Sequence, residues 1–161
     1  MTGLLVIFFL SLVGSAFFSG MEMAFVSANK LRLREMADAG DKHARFIIQL
    51  QQHPNYFLTA ILIGNNAVNV IAISVVTYLF KTYWGWDNEW AVMGLVAPLL
   101  IVFGEMVPKD YGRLTAIPVL IRQTFWLRTL TTVLYGPIIL FFKLVGLFGV
   151  SFQNGSGRDI F

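Results

Sequence analysis

Three stretches of this sequence are apolar enough and long enough to cross a lipid bilayer, and short charged loops separate them. Residues 2–28 hold one charged side chain, Glu22; residues 54–80 hold none; residues 90–108 hold only Glu105. A helical span needs about 20 predominantly apolar residues at 1.5 Å rise each, and all three runs qualify. Composition agrees: of 161 residues, 57% are hydrophobic and 13% are charged, about half the charge of an ordinary soluble domain. The expected fold is therefore an all-α membrane protein with three transmembrane helices. The first run is expected to stay as a span rather than be cleaved as a signal peptide, because no basic segment precedes it. The net charge of +3 comes without a basic block interleaved with aromatics, which leaves no nucleic-acid reader. With no cysteine, disulfides and thiolate metal sites are excluded.

The loops set an expected orientation. Residues 29–53 carry Lys30, Arg32, Arg34, Lys42 and Arg45, whereas residues 81–89 carry Lys81 against Asp87 and Glu89. Lys109, Arg113, Arg122 and Arg128 follow the third run. The positive-inside rule puts the first and last groups in the cytoplasm, the N-terminus outside, and Trp84, Trp86 and Trp90 at the outer interface. Within 29–53, Leu31, Leu33, Met36, Phe46, Ile47 and Leu50 recur around a Gly40-Asp41 break, the pattern of a short cytoplasmic helical hairpin. His43 and His53 in that loop are expected to be solvated. Residues 116–150 are interrupted at Gly136-Pro137 and carry Arg122, Arg128 and Lys143 at snorkelling intervals. They are expected to form a juxtamembrane belt helix on the cytoplasmic interface, keeping the C-terminus inside. Residues 1–150 are thus expected to form one membrane domain, and 151–161 a linker or disordered end.

Glu22 and Glu105 are the costly residues. An acidic side chain at the centre of a spanning helix is penalised by about 2.5–3.5 kcal/mol on insertion scales, so such groups usually face a cavity, a partner or an ion. Ser19 lies three residues before Glu22, and Asn65 lies four before Asn69, so each pair shares a helix face. Counting from Lys30 and from Pro54, Ser19 and Asn65 are expected at equal depth, about 16 Å inside. Pro108 lacks an N–H, which frees the Gly104 carbonyl beside Glu105 and predicts unwound backbone lining a cavity. Hydroxyl, amide, carboxylate and carbonyl oxygens are hard ligands suited to Mg²⁺, Ca²⁺ or Na⁺. Residue types alone leave the ion open. No nucleophile is paired with a base in the spans, so an enzyme is not expected.

Read in order, Phe18-Ser19-Gly20-Met21-Glu22-Met23-Ala24, Gly64-Asn65-Asn66-Ala67-Val68-Asn69 and Phe103-Gly104-Glu105-Met106-Val107-Pro108-Lys109 resemble the transmembrane domain of the CNNM/CorC family of magnesium transporters. Glu22 and Lys109 look like its prokaryotic branch. The resemblance implies a homodimer in the bacterial inner (plasma) membrane that exports Mg²⁺ coupled to Na⁺ influx. It implies Ser19, Asn65, Asn69 and Glu105 as cation ligands or their support; the Gly104 carbonyl and Glu22 are further candidates from the residues themselves. Family members usually continue into cytoplasmic CBS domains, which this sequence does not include, so it reads as an isolated membrane domain or a truncated piece of a longer chain. A reading from another class is a Mg²⁺-binding membrane sensor or anchor for such cytoplasmic domains.

Overall fold

The computed structural model describes residues 1–52, 54–85, 88–130 and 132. The described residues form α-helices α1 (Thr2–Ser27), α2 (Lys30–Asp38), α3 (Lys42–Gln52), α4 (Pro54–Trp84) and α5 (Glu89–Leu99), then a π-helical segment Leu100–Met106, then α6 (Val107–Leu114) and α7 (Ala116–Arg122). Among the described residues three stretches are long and apolar enough to cross a membrane: Thr2–Ser27, Pro54–Trp84 and Val92–Leu114. The chain divides into two compact units. One comprises Met1–Ser27 and Ile61–Thr115; the other comprises Ala28–Ala60 and the segment beginning at Ala116.

In the first unit α1 and α4 run antiparallel and meet through small residues. A Cβ on Gly64 would stand 2.6 Å from Cζ of Phe18, so the missing side chain is the seat of that ring. One on Gly14 would stand 3.2 Å from Val68. In lipid, where apolar burial contributes little between helices, such close approaches drive association. Ala72, Val76, Val92, Val96 and Leu100 form a buried cluster joining α4 to α5 and the π segment, flanked by Phe8, Leu12, Ile73 and Phe80. The third span runs parallel to α1, with Ser15 meeting Gly104 and Gly20 meeting Pro108.

The third span differs from the sequence expectation in two ways. It continues past Pro108 to Leu114, so it is a full turn and more longer than residues 90–108. Its backbone is also not unwound: φ and ψ are −64° and −55° at Met106 and −61° and −47° at Val107. The Val107 N–H bonds the Val102 carbonyl, a five-residue step. The wider π turn takes up the irregularity within a continuous helix, just ahead of Pro108, whose missing N–H leaves the Gly104 carbonyl without an α-helical partner.

In the second unit the hairpin is as the sequence implied. The Asn29 side chain caps α2 by accepting from the N–H groups of Leu31 and Arg32. Gly40 turns the chain at φ +101°, and Asp41 Oδ1 accepts from His43 and Ala44 to start α3. Leu33, Ala37, Ala44, Ile47 and Leu50 are buried. The first part of the expected belt is helical: α7 and then residues 124–130. α7 packs on α3, and the Arg128 guanidinium lies 4.8 Å from the Phe46 ring centre. His53, Trp86, the Gly136-Pro137 break, Lys143 and the expected end 151–161 lie outside the described residues.

Candidate cation site

The polar groups of the first unit gather where α1, α4 and the π segment meet. At the centre is Ser15, fully buried. Its Oγ lies 3.2 Å from Asn65 Oδ1 and 3.3 Å from the Gly104 carbonyl oxygen. A serine hydroxyl carries one hydrogen, so three oxygens crowd together around a single donor. A Cβ on Gly104 would stand 2.9 Å from Ser15 Oγ, which explains the glycine: any side chain would push the hydroxyl away from the carbonyl. One turn along α4, Asn69 Nδ2 donates to Glu105 Oε1 at 3.3 Å. The remaining Asn69 oxygen, Oδ1, is buried with no hydrogen-bond partner among the described residues, and so is Ser19 Oγ.

The structure therefore brings together Asn65, Gly104, Asn69 and Glu105, with Ser15 as the link between two of the three helices. Ser15 was not among the residues singled out from sequence, although Ser11, Ser15 and Ser19 recur every four residues on α1 and all three are buried. The residue bonded to Asn65 is Ser15, not Ser19. The depth count began at Lys30, but α1 ends at Ser27, three residues sooner, and that shifts the register by almost one turn. Asn66, next to Asn65, is exposed.

Glu22 does not join this cluster. Its Oε2 pairs with Lys109 Nζ at 3.5 Å, with both side chains about 40% exposed. The partner of Lys109 is thus Glu22 rather than Glu105. The parallel packing of α1 on α6, brought close at Gly20, Pro108 and Gly112, puts the two side chains side by side. Ser19 and Asn69 flank the Ser15 knot on opposite sides. With Gly14 level with Val68, they are roughly 9 Å apart along the helix axes. One ion with 2.0–2.1 Å bonds does not touch both.

Among the described residues no three of His, Cys, Asp and Glu come together, so the cluster is one carboxylate among neutral oxygens. That donor set suits a hard cation that keeps part of its water shell.

Comparison with known proteins agrees with this arrangement of spans and motifs. The family described as Cyclin M transmembrane N-terminal domain (CNNM) matches residues 5–158. The chain belongs to the CNNM transmembrane family. Its relatives include a UPF0053 protein of Haemophilus influenzae, 33% identical over 84% of this chain and 32% of that protein. The UPF0053 inner membrane protein YfjD of Escherichia coli is 31% identical over 78% of this chain and 29% of its own length. A protein of Salmonella typhimurium named polyamine export protein is 28% identical over 72% and 29%. The chain thus spans about a third of the length of the curated relatives it matches. Family, relatives and three apolar helices together make this CNNM-family chain a membrane protein.

Proposed function

We propose that this CNNM-family chain is the ion-translocating membrane domain of a Mg²⁺ transporter. It works as a homodimer in the bacterial inner membrane and exports Mg²⁺ in exchange for Na⁺. The observation that supports the reading most is the oxygen knot of Ser15 Oγ, Asn65 Oδ1 and the Gly104 carbonyl, spaced 3.2 and 3.3 Å apart with one hydrogen among them. The edge of an octahedron of oxygens around Mg²⁺ at 2.0–2.1 Å is about 3 Å, so the groups need move little to become ligands. Glu105 supplies the negative charge, and Asn69 holds it until the cation takes over. Ser19 Oγ and Asn69 Oδ1 are desolvated oxygens on either side of the knot, stations that a hydrated ion uses before and after it. The basic hairpin 29–53 and the region after Leu114 face the cytoplasm in this reading.

A second reading is favoured by the name of the Salmonella relative: an organic polycation replaces Mg²⁺. A carboxylate ringed by carbonyl oxygens also accepts ammonium N–H groups. The third is a sensor that binds Mg²⁺ and moves nothing. One experiment separates all three. Purified chain in proteoliposomes is assayed for Mg²⁺ and for putrescine flux, with and without a Na⁺ gradient, beside calorimetric Mg²⁺ binding. The expected result is saturable, Na⁺-stimulated Mg²⁺ flux that Glu105→Gln abolishes, with no putrescine flux. Putrescine flux without Mg²⁺ flux establishes the second reading, and Mg²⁺ binding without flux the third.

A further inference from the structure

We propose that Glu22 and Lys109 form a latch that a divalent cation opens: the ion takes the Glu22 carboxylate from the Lys109 ammonium on its way between solvent and the Ser15–Glu105 site. The inference rests on the Mg²⁺ reading above. Its starting point is placement. Glu22 lies three residues beyond Ser19 on α1, and Lys109 four beyond Glu105, so each stands on the same helix face as a site residue. The two helices run parallel, and Ser27 and Leu114 are their ends. On α1 the buried oxygens of Ser15 and Ser19 are therefore followed, toward that end, by a carboxylate that is about 40% exposed. It is the next oxygen ligand along the same polar stripe.

The contact is also held in place from below. A Cβ on Gly20 would stand 3.2 Å from the Pro108 carbonyl oxygen, and Gly112 abuts the Gly20 carbonyl. Backbone meets backbone within a turn of the ion pair, so Glu22 and Lys109 face each other across a fixed gap. The other charged pair of α6, Asp110 with Arg113, is internal to that helix. Among the described residues Lys109 is thus the cation opposed to Glu22. A singly charged ammonium whose side chain is about 40% exposed is a replaceable counter-ion. A doubly charged ion binds a carboxylate oxygen as a ligand, and displacing Lys109 removes the repulsion that its charge exerts on an ion moving toward Ser19 and Glu105.

A plain structural ion pair predicts something different. If the pair only fastens α1 to α6, Glu22→Gln and Lys109→Met break the same contact and shift behaviour in the same direction. For a latch, the first removes the ligand and the second removes its competitor, so the shifts oppose each other. The test measures Mg²⁺ flux against Mg²⁺ concentration in proteoliposomes. Glu22→Gln is expected to raise the half-saturating concentration and Lys109→Met to lower it, each about fivefold, the size of one partly screened charge contact. A second measurement needs no variant. Acetic anhydride labelling of Lys109, read by mass spectrometry, is expected to rise when MgCl₂ replaces NaCl at equal ionic strength. Shifts of the same sign, or labelling indifferent to Mg²⁺, overturn the latch. Mg²⁺-dependent labelling without flux keeps the latch and rejects transport, whereas flux without it rejects the latch alone.

Discussion

The residue that organises the site is Ser15, and its importance follows from a shortage of hydrogens. Its hydroxyl is within bonding range of two acceptors, Asn65 Oδ1 and the Gly104 carbonyl, and it can satisfy only one at a time. Inside a bundle an unsatisfied acceptor costs about 1–3 kcal/mol, and a cation that accepts lone pairs from all three oxygens removes the conflict. Ser15→Ala therefore has two separable effects. Stability falls by about 1–3 kcal/mol, since the substitution leaves both acceptors without the donor they shared. Mg²⁺ affinity falls by about tenfold or more, the loss of one ligand contact of about 1.4 kcal/mol. Calorimetry beside a thermal melt in the same detergent checks both. A fall in melting temperature with unchanged Mg²⁺ binding would make Ser15 a packing residue. Gly104→Ala tests the same knot from the other side, because its Cβ meets Ser15 Oγ at 2.9 Å. Overpacking of that kind costs about 1–3 kcal/mol, and here it also parts the hydroxyl from the carbonyl, so both melting temperature and affinity are expected to drop.

At the scale of elements, the three spans and the hairpin were legible because each rests on a run of residues. Uncharged length marks the spans, and Asn29, Gly40 and Asp41 mark the hairpin ends through capping and a positive φ. The π segment was not legible. Pro98 and Pro108 announce an irregularity in span three, but a break, a kink and a π turn all relieve a missing N–H, and only the surroundings select among them. The neighbours here are Ser15 and Leu12 of α1, packed closely beside Gly104. The same limit explains why Ser19 stood in for Ser15: register depends on where α1 stops, and Asn29 stops it before Lys30. Pro108→Ala tests what the π segment does. An alanine N–H at 108 is placed to bond the Gly104 carbonyl in an α-helical step, withdrawing it from Ser15. Mg²⁺ affinity is expected to fall severalfold while the melting temperature holds or rises, since a helical Pro→Ala change removes a penalty of up to about 3 kcal/mol. Loss of both together would show that Pro108 serves packing rather than the site.

Over the whole molecule, the apolar surface says little about how the spans hold together, because lipid solvates it as well as a neighbouring helix does. Large side chains such as Leu10, Val13, Leu62 and Val70 are exposed, and exposure of this kind is the normal state of a span in lipid. Cohesion of the first unit has to come from close backbone approach and from polar contacts, and both concentrate between α1 and the third span. Gly112 is the sharpest instance. A Cβ there would run into the Gly20 carbonyl, and that atom belongs to backbone, which cannot swing aside as a side chain can. Gly94 on the same span has nothing within 4 Å of where its Cβ would be. The pair is a controlled comparison, since both changes add one methyl to a helical glycine and gain about 1 kcal/mol of helix propensity. Gly94→Ala is expected to hold or raise the melting temperature in detergent. Gly112→Ala is expected to lower it by several degrees and to weaken Mg²⁺ binding as well, because it forces apart the helices that carry Ser15 and Glu105. Equal melting temperatures for the two variants would mean that α1 and α6 yield easily, and that the polar knot alone keeps these helices together.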